Sequence, residues 1–198
     1  MKNKPRIIKF LEPTEIRILI NSINRKTLRG LRDVAFMETL FSTGLRVSEA
    51  LALLRFADFT KSEANKRVAT ETLELPIIGK MGIQRVIFFS PRALKSIREY
   101  LDARTDDSEY LFASDKSGGV LTVRGAQFMV KTRAKESGIK RHITPHMFRH
   151  SFATHILRKG ANIRVVQELL GHRALSSTMV YTGVTNKDLL ETHKKMMV

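Results

Sequence analysis

The sequence contains no cysteine and no tryptophan in its 198 residues, and acidic side chains are scarce, with 19 Asp and Glu against 35 Lys and Arg. Without cysteine there is no disulfide framework and no thiolate metal site. Aromatic residues make up 7% of the chain, which argues against single-strand binding by base stacking. Long apolar runs are missing too, so no membrane-spanning helix is expected. The opening residues MKNKPRIIKF are basic and lack the apolar stretch of a signal peptide. The composition therefore points away from secreted disulfide scaffolds and from membranes, and a cytoplasmic protein is expected.

The shortage of acids leaves a formal net charge of +16 and a pI near 10.5. Self-repulsion of that size becomes useful when the partner is a polyanion, and nucleic acid is the first candidate. Phosphate contacts position a protein without reading bases, so charge alone names no target site.

The pattern along the chain predicts one domain, mainly α with a small antiparallel β-sheet (an α+β fold). Residues 1–12 read as a basic leader or the remnant of an interdomain linker, and residues 13–198 as the domain itself. Pro13 opens a helix with Ile16, Leu19, Ile20 and Ile23 on its apolar stripe. A second helix runs from Leu28 to Ser42, with Leu31, Val34, Ala35, Leu40 and Phe41 inward, and Gly44 stops it. A third runs from Arg46 to Leu54. Thr70–Ile78 and Arg85–Phe89 then read as a β-hairpin turning at Gly79-Lys80-Met81-Gly82, with a third short strand near Arg55–Thr60. Pro76 places the first strand at an edge or a bulge. Helices follow from Ser90-Pro91 to Ala103, Thr122 to Gly138, Thr144-Pro145 to Gly160, and Asn162 to Gly171. Between them, Tyr110, Leu111 and Phe112 anchor a loop. Ser176 or Ser177 caps a short helix carrying Tyr181. A last helix, from Asn186 to the end, sets Leu189, Leu190, His193 and Met197 on one side.

Several polar residues fit one task, holding a phosphate. His146 and Arg149 share a helix face in its first turns, where free N–H groups and the positive end of the dipole favour an anion. Arg149 offers a bidentate grip and His146 a hydrogen bond. Arg46, three residues before Glu49, either pairs with that carboxylate or supplies a second cation. Lys80, on the turn, is a solvated lysine or a proton donor on a flexible arm. His172 follows a helix-stopping glycine, and Tyr181 is a core phenol or a nucleophile whose proton loss neighbouring cations ease. His150 and His155 do not share a face, and no acidic partner completes a metal site there.

In chain order these residues stand in the blocks TGLRVSEAL, GKMGIQR, TPHMFRHSFATHIL, VVQELLGH and TMVYTGV. The series resembles the catalytic domain of the tyrosine recombinases (the phage-integrase family), most closely the Xer branch, from about Leu11 onward. The resemblance implies the DNA breaking-rejoining fold and a site-specific recombinase. Such an enzyme cleaves and rejoins duplex DNA through a 3′-phosphotyrosine, with no cofactor, metal or ATP. It implies that Arg46 and Arg149 clamp the scissile phosphate, and that Lys80 protonates the leaving 5′-oxygen. It gives His146 proton transfer with the nucleophile and His172 a hydrogen bond to a non-bridging oxygen. Tyr181 is the implied nucleophile and Glu49 a support for the cluster. The hairpin departs from the usual GKGNKER at Met81, Gly82 and Ile83. The family's N-terminal core-binding domain is expected to be absent, because the chain starts where the interdomain linker would lie. Expected partners are duplex DNA and, on synapsed DNA, other copies in a homotetramer joined through the helix 186–198, with a monomer in free solution. A type IB topoisomerase shares most of these residues but usually has lysine where His146 stands. The non-enzyme alternative is a DNA-binding regulator.

Overall fold

A computed structural model describes residues 9–55, 72–78, 84–114, 119–171 and 186–197. Eight helices and a two-stranded sheet are seen among them: α1 (Pro13–Asn21), α2 (Leu28–Thr43), α3 (Val47–Leu51), β1 (Leu73–Ile78), β2 (Gln84–Phe89), α4 (Pro91–Asp102), α5 (Val123–Glu136), α6 (Pro145–Arg158), α7 (Ile163–Leu170) and α8 (Asn186–Met196). No helix among the described residues is long and apolar enough to cross a membrane. The expected α+β class is what the structure shows.

α2 is the central helix. Its apolar side chains Val34, Ala35, Phe36, Met37 and Leu40 are buried, and so are Arg32, Asp33, Glu38 and Thr39 on its other sides. A helix buried all round must pair its charges. Arg32 and Arg133 both grip Asp33, each at 2.9 or 2.8 Å, and Arg92 grips Glu38 at 2.5 Å. The hydroxyl of Thr27 caps the start of α2 by accepting from the Gly30 N–H at 3.1 Å. The stop is Gly44, in the left-handed region at φ 64°. A Cβ there would meet Phe152 Cδ1 at 2.6 Å and Leu170 Cδ2 at 2.9 Å. Glycine is therefore needed both for the turn and for the close packing of α2 on α6 and α7.

The third helix is shorter than its pattern predicts, ending at Leu51 rather than Leu54. The chain beyond it is drawn into extended pairing with the loop after α4. Leu54 bridges Tyr110, the Arg55 N–H donates to the Glu109 carbonyl, and the Leu111 N–H donates to the Leu53 carbonyl. Of the expected third strand only this bridge is described, since residues 56–60 lie outside the described set. β1 and β2 pair antiparallel, from Leu73 opposite Phe89 to Ile78 opposite Gln84. Among the described residues the sheet has two strands, so each has an open edge and Pro76 costs little there as a missing donor. The tip 79–83 and the expected short helix at Ser176 or Ser177 lie outside the described residues.

Two apolar clusters fill the interior. The larger joins α1, α2, α4, α5 and the start of α6, with Leu111 and Phe112 anchored in it. The smaller comprises Phe88, Phe152, Ile156, Val165, Val166, Leu169, Leu170 and Met196. Met196 belongs to α8, which lies against its own chain. His193 of α8 is 1% exposed, and its Nε2 sits 2.7 Å from the Ser42 carbonyl oxygen. The rings of Phe88 and Phe152 stand 5.6 and 6.3 Å from it. Nδ1 has no partner. Burial holds this imidazole down at about 4, against the partial help of the Ser42 carbonyl. Its folded pKa lies below its unfolded value, so its stabilising contribution is complete above about 6.5 and is lost as pH falls through 4. We expect stability to drop by about 3 kcal/mol between pH 7 and pH 4 from this group alone. Chemical denaturation across that range checks it, with His193→Gln removing this part of the pH dependence. An unaltered slope in that variant would show that His193 is not the responsible group.

Candidate active site

Four elements meet where α2 ends. The chain leaves α2 at Gly44, turns, and enters α3 with Arg46 as its first flanking residue. Arg46 and Glu49 lie one helical turn apart, so the Glu49 carboxylate folds back to the helix start. Oε2 accepts the Arg46 backbone N–H at 2.8 Å, and Oε1 accepts from Arg46 Nη1 at 3.0 Å. The Arg46 side chain is 34% exposed, while that of Glu49 is 9% exposed. The carboxylate is buried under the arginine that faces solvent.

From the opposite side comes Arg85 of β2. Its Nη2 donates to Glu49 Oε2 at 2.8 Å and its Nη1 to Oε1 at 3.2 Å. Each oxygen of Glu49 thus accepts from both arginines. Burial pushes the Glu49 carboxyl up, but the hydrogen bonds and charge of Arg85 and Arg46 outweigh it and hold the carboxyl down to about 2.

α6 supplies the third arginine. Arg149 is 3% exposed. Its Nη1 donates to the Gly44 carbonyl at 2.6 Å and its Nη2 to the Leu170 carbonyl at 2.5 Å. Both acceptors lie at helix C-termini, where unpaired carbonyls and the negative dipole end favour a cation. Burial, with the charges of Arg46 and Arg85, lowers the Arg149 pKa to about 10, while Glu49 pulls it back. It stays a cation at neutral pH.

His146 stands one turn before Arg149 and is exposed. Its ring lies edge-on to His150, 4.4 Å between centroids. Partial burial, then Arg149 and Arg46, lower its pKa below the usual histidine value. At neutral pH it is an uncharged imidazole able to take a proton. His155 lies away from this cluster, with its ring against Phe41.

The structure therefore brings together Arg46, Glu49, His146 and Arg149 of the residues expected from sequence. Lys80, His172 and Tyr181 lie outside the described residues. Two members of the cluster were not singled out as site residues from sequence. Arg85 shares a strand face with buried Ile87 and Phe89, and a charge in that apolar series was the available signal. Gly171, at φ 63°, packs against Arg85, and a Cβ there would meet Arg85 Cδ and Nη1 at 3.1 Å.

Three guanidiniums gathered at one junction, with Arg46 partly exposed and a neutral imidazole beside them, suit an anion that gains charge as it reacts. Residues 9–188 of this chain match the phage integrase family. The chain belongs to that family. Among its phage-integrase relatives, the tyrosine recombinase XerC of Leptospira interrogans is 35% identical over 98% of this chain and 60% of its own length. The chain thus spans about three fifths of that curated relative. The crystal structure of XerA recombinase superposes with a TM-score of 0.67 at 26% identity, over 94% of this chain and 65% of its own. XerH recombinase bound to palindromic difH substrate gives 0.67 at 25% identity, over 85% and 48%.

The burial contrast between the two arginines gives a test. Arg149→Ala leaves two buried helix-end carbonyls unpaired and is expected to cost about 2–4 kcal/mol of stability. Arg46→Ala, at a partly exposed site, is expected to cost under about 1 kcal/mol. Urea unfolding of both variants compares them, and equal losses would contradict the structural role given to Arg149.

Proposed function

We propose that this chain is the catalytic domain of a site-specific DNA recombinase, cutting and rejoining duplex DNA through a tyrosine–phosphate intermediate. The observation that carries this is the junction of Arg46, Glu49 and Arg149 beside a neutral His146, in a chain whose relatives are named tyrosine recombinases. The net charge of +16 suits a duplex partner, and XerH has been crystallised with its difH substrate.

In the reaction, one phosphate of the duplex sits against Arg46 and Arg149. The Tyr181 phenol oxygen attacks phosphorus, its proton passing to His146. The bond from phosphorus to the 5′-oxygen breaks, and Lys80 donates the proton that the leaving oxygen needs. His172 holds a non-bridging oxygen. The product is a 3′-phosphotyrosine and a free 5′-hydroxyl. As the five-coordinate transition state forms, charge grows on the equatorial oxygens, and each preorganised cation aimed there is worth on the order of 10²–10³ in rate. The phosphotyrosine keeps the energy of the broken bond. A 5′-hydroxyl from another strand can then reseal the DNA, so neither ATP nor metal is required.

The working partner is duplex DNA in the cytoplasm. On two synapsed sites the copies form a homotetramer through the helix 186–198. The groove that holds α8 in its own chain, built from Phe88, Phe152 and Val166, would seat a neighbouring α8 once the chain's own helix has moved out of it.

Tyr181→Phe is expected to retain duplex DNA in a gel-shift assay and to form no covalent adduct on a nicked suicide duplex, where the unaltered protein does. An adduct trapped with that variant would remove Tyr181 as nucleophile. Supercoil relaxation without strand exchange between two sites would favour a topoisomerase over a recombinase.

A further inference from the structure

We propose that Arg85 is a positioning residue of this site: through Glu49 it sets the Arg46 guanidinium, and through Gly171 it ties that clamp to the turn that leads into His172. The inference rests on the catalytic reading of Arg46 given above.

The geometry is specific. Arg46 alone holds Glu49 from one side, through its backbone N–H on Oε2 and its Nη1 on Oε1. Arg85 meets the same two oxygens from the strand side, at 2.8 and 3.2 Å, so the carboxylate plane is fixed by four hydrogen bonds from two arginines. A fixed Glu49 in turn fixes Arg46 Nη1. Arg46 is the end of this chain of contacts that is partly exposed to solvent. Fork-shaped pairing of this kind needs a guanidinium, because an ammonium cannot match two oxygens in one plane.

A filler side chain would serve packing better. The Arg85 side chain is 6% exposed, and its Nε has no hydrogen-bond partner among the described residues. Burying a cation with one unpaired donor is costly unless the charge itself is needed. It is needed here because Glu49 is buried. With Arg85 absent, the carboxylate would face Arg46 alone, and burial would push its pKa up from the low value it now has. Protonation would then release Arg46.

Arg85 also touches the second half of the site. Its Cδ and Nη1 fill the space beside Gly171, where a Cβ would stand 3.1 Å away. Gly171 ends α7 and directly precedes His172, and Leu170, one residue earlier, gives its carbonyl to Arg149. On the strand side, β2 begins four residues after Lys80. One guanidinium of β2 thus joins α3, through Glu49, to the end of α7, at Gly171.

The test compares Arg85→Lys, Arg85→Gln, Glu49→Gln and the double variant Glu49→Gln/Arg85→Gln with the unaltered protein. Single-turnover adduct formation on a nicked duplex is followed from pH 5 to 8, and the ¹³C shift of the Glu49 carboxyl is titrated without DNA. Arg85→Gln is expected to slow cleavage on the order of 10-fold to 100-fold, with DNA affinity retained. Its deficit should grow as pH falls, because without Arg85 burial raises the Glu49 pKa toward that range. Arg85→Lys keeps the charge but loses the fork, so it should recover the pH profile and only part of the rate. The double variant lacks the carboxyl, so its deficit should be constant with pH and smaller than the product of the two single deficits. A Glu49 titration unmoved by Arg85→Gln, or a pH-independent loss matching a fall in melting temperature, would overturn the inference. If the unaltered protein forms no adduct, the recombinase reading fails, while the Glu49 titration still decides the role of Arg85.

Discussion

The buried guanidinium of Arg149 is the contact on which the rest of the site depends. Its two donors reach the Gly44 and Leu170 carbonyls, at the ends of α2 and α7. Two helix ends aimed at one point would otherwise leave bare carbonyls and two negative dipole ends in the interior. A single planar cation satisfies both, and its planarity sets where the helices stop relative to each other. Gly44 completes the joint, since any larger residue would push into Phe152 and Leu170.

Under the proposed function, stability and chemistry are hard to separate at that position. Arg149 holds the fold through two of its five N–H groups. In the proposed reaction the same rigidity that anchors it would also aim it, which is what preorganised catalysis requires. Arg46 follows the opposite plan. It is partly exposed, bonded to one buried carboxylate, and cheap for the fold to lose. Between them sits Glu49, which offsets the repulsion of three arginines in a small volume. The cluster therefore carries positive charge toward solvent while its interior charges are paired.

α8 adds a separate constraint. It seats a neutral histidine among two phenylalanines and hydrogen-bonds it to the carbonyl of Ser42, near the end of α2. The C-terminal helix is thus joined to the same central helix that leads into the site. Any movement of α8 toward a neighbouring copy would open the smaller apolar cluster and expose Met196. The amphipathic pattern alone did not distinguish a helix packed on its own chain from one exported to another.

Local order was legible in the amino-acid sequence because it rests on contacts a few residues apart. Ser90, Thr122 and Asn162 cap the helices they were expected to open, and Gly44 and Gly171 stop theirs in the left-handed region. The Arg46–Glu49 pair follows from a spacing of three, and His146 and Arg149 fall on one face for the same reason. The end of α3 was misread, since a distant loop captures Leu53 and Arg55. What only the tertiary structure decided are the contacts between remote positions. Arg85 meets Glu49 across 36 residues, and Arg149 meets Gly44 across 105. A guanidinium in a sequence is a charge with many available partners. Packing selects one set by burying it, since a buried cation must take whichever acceptors the fold places around it.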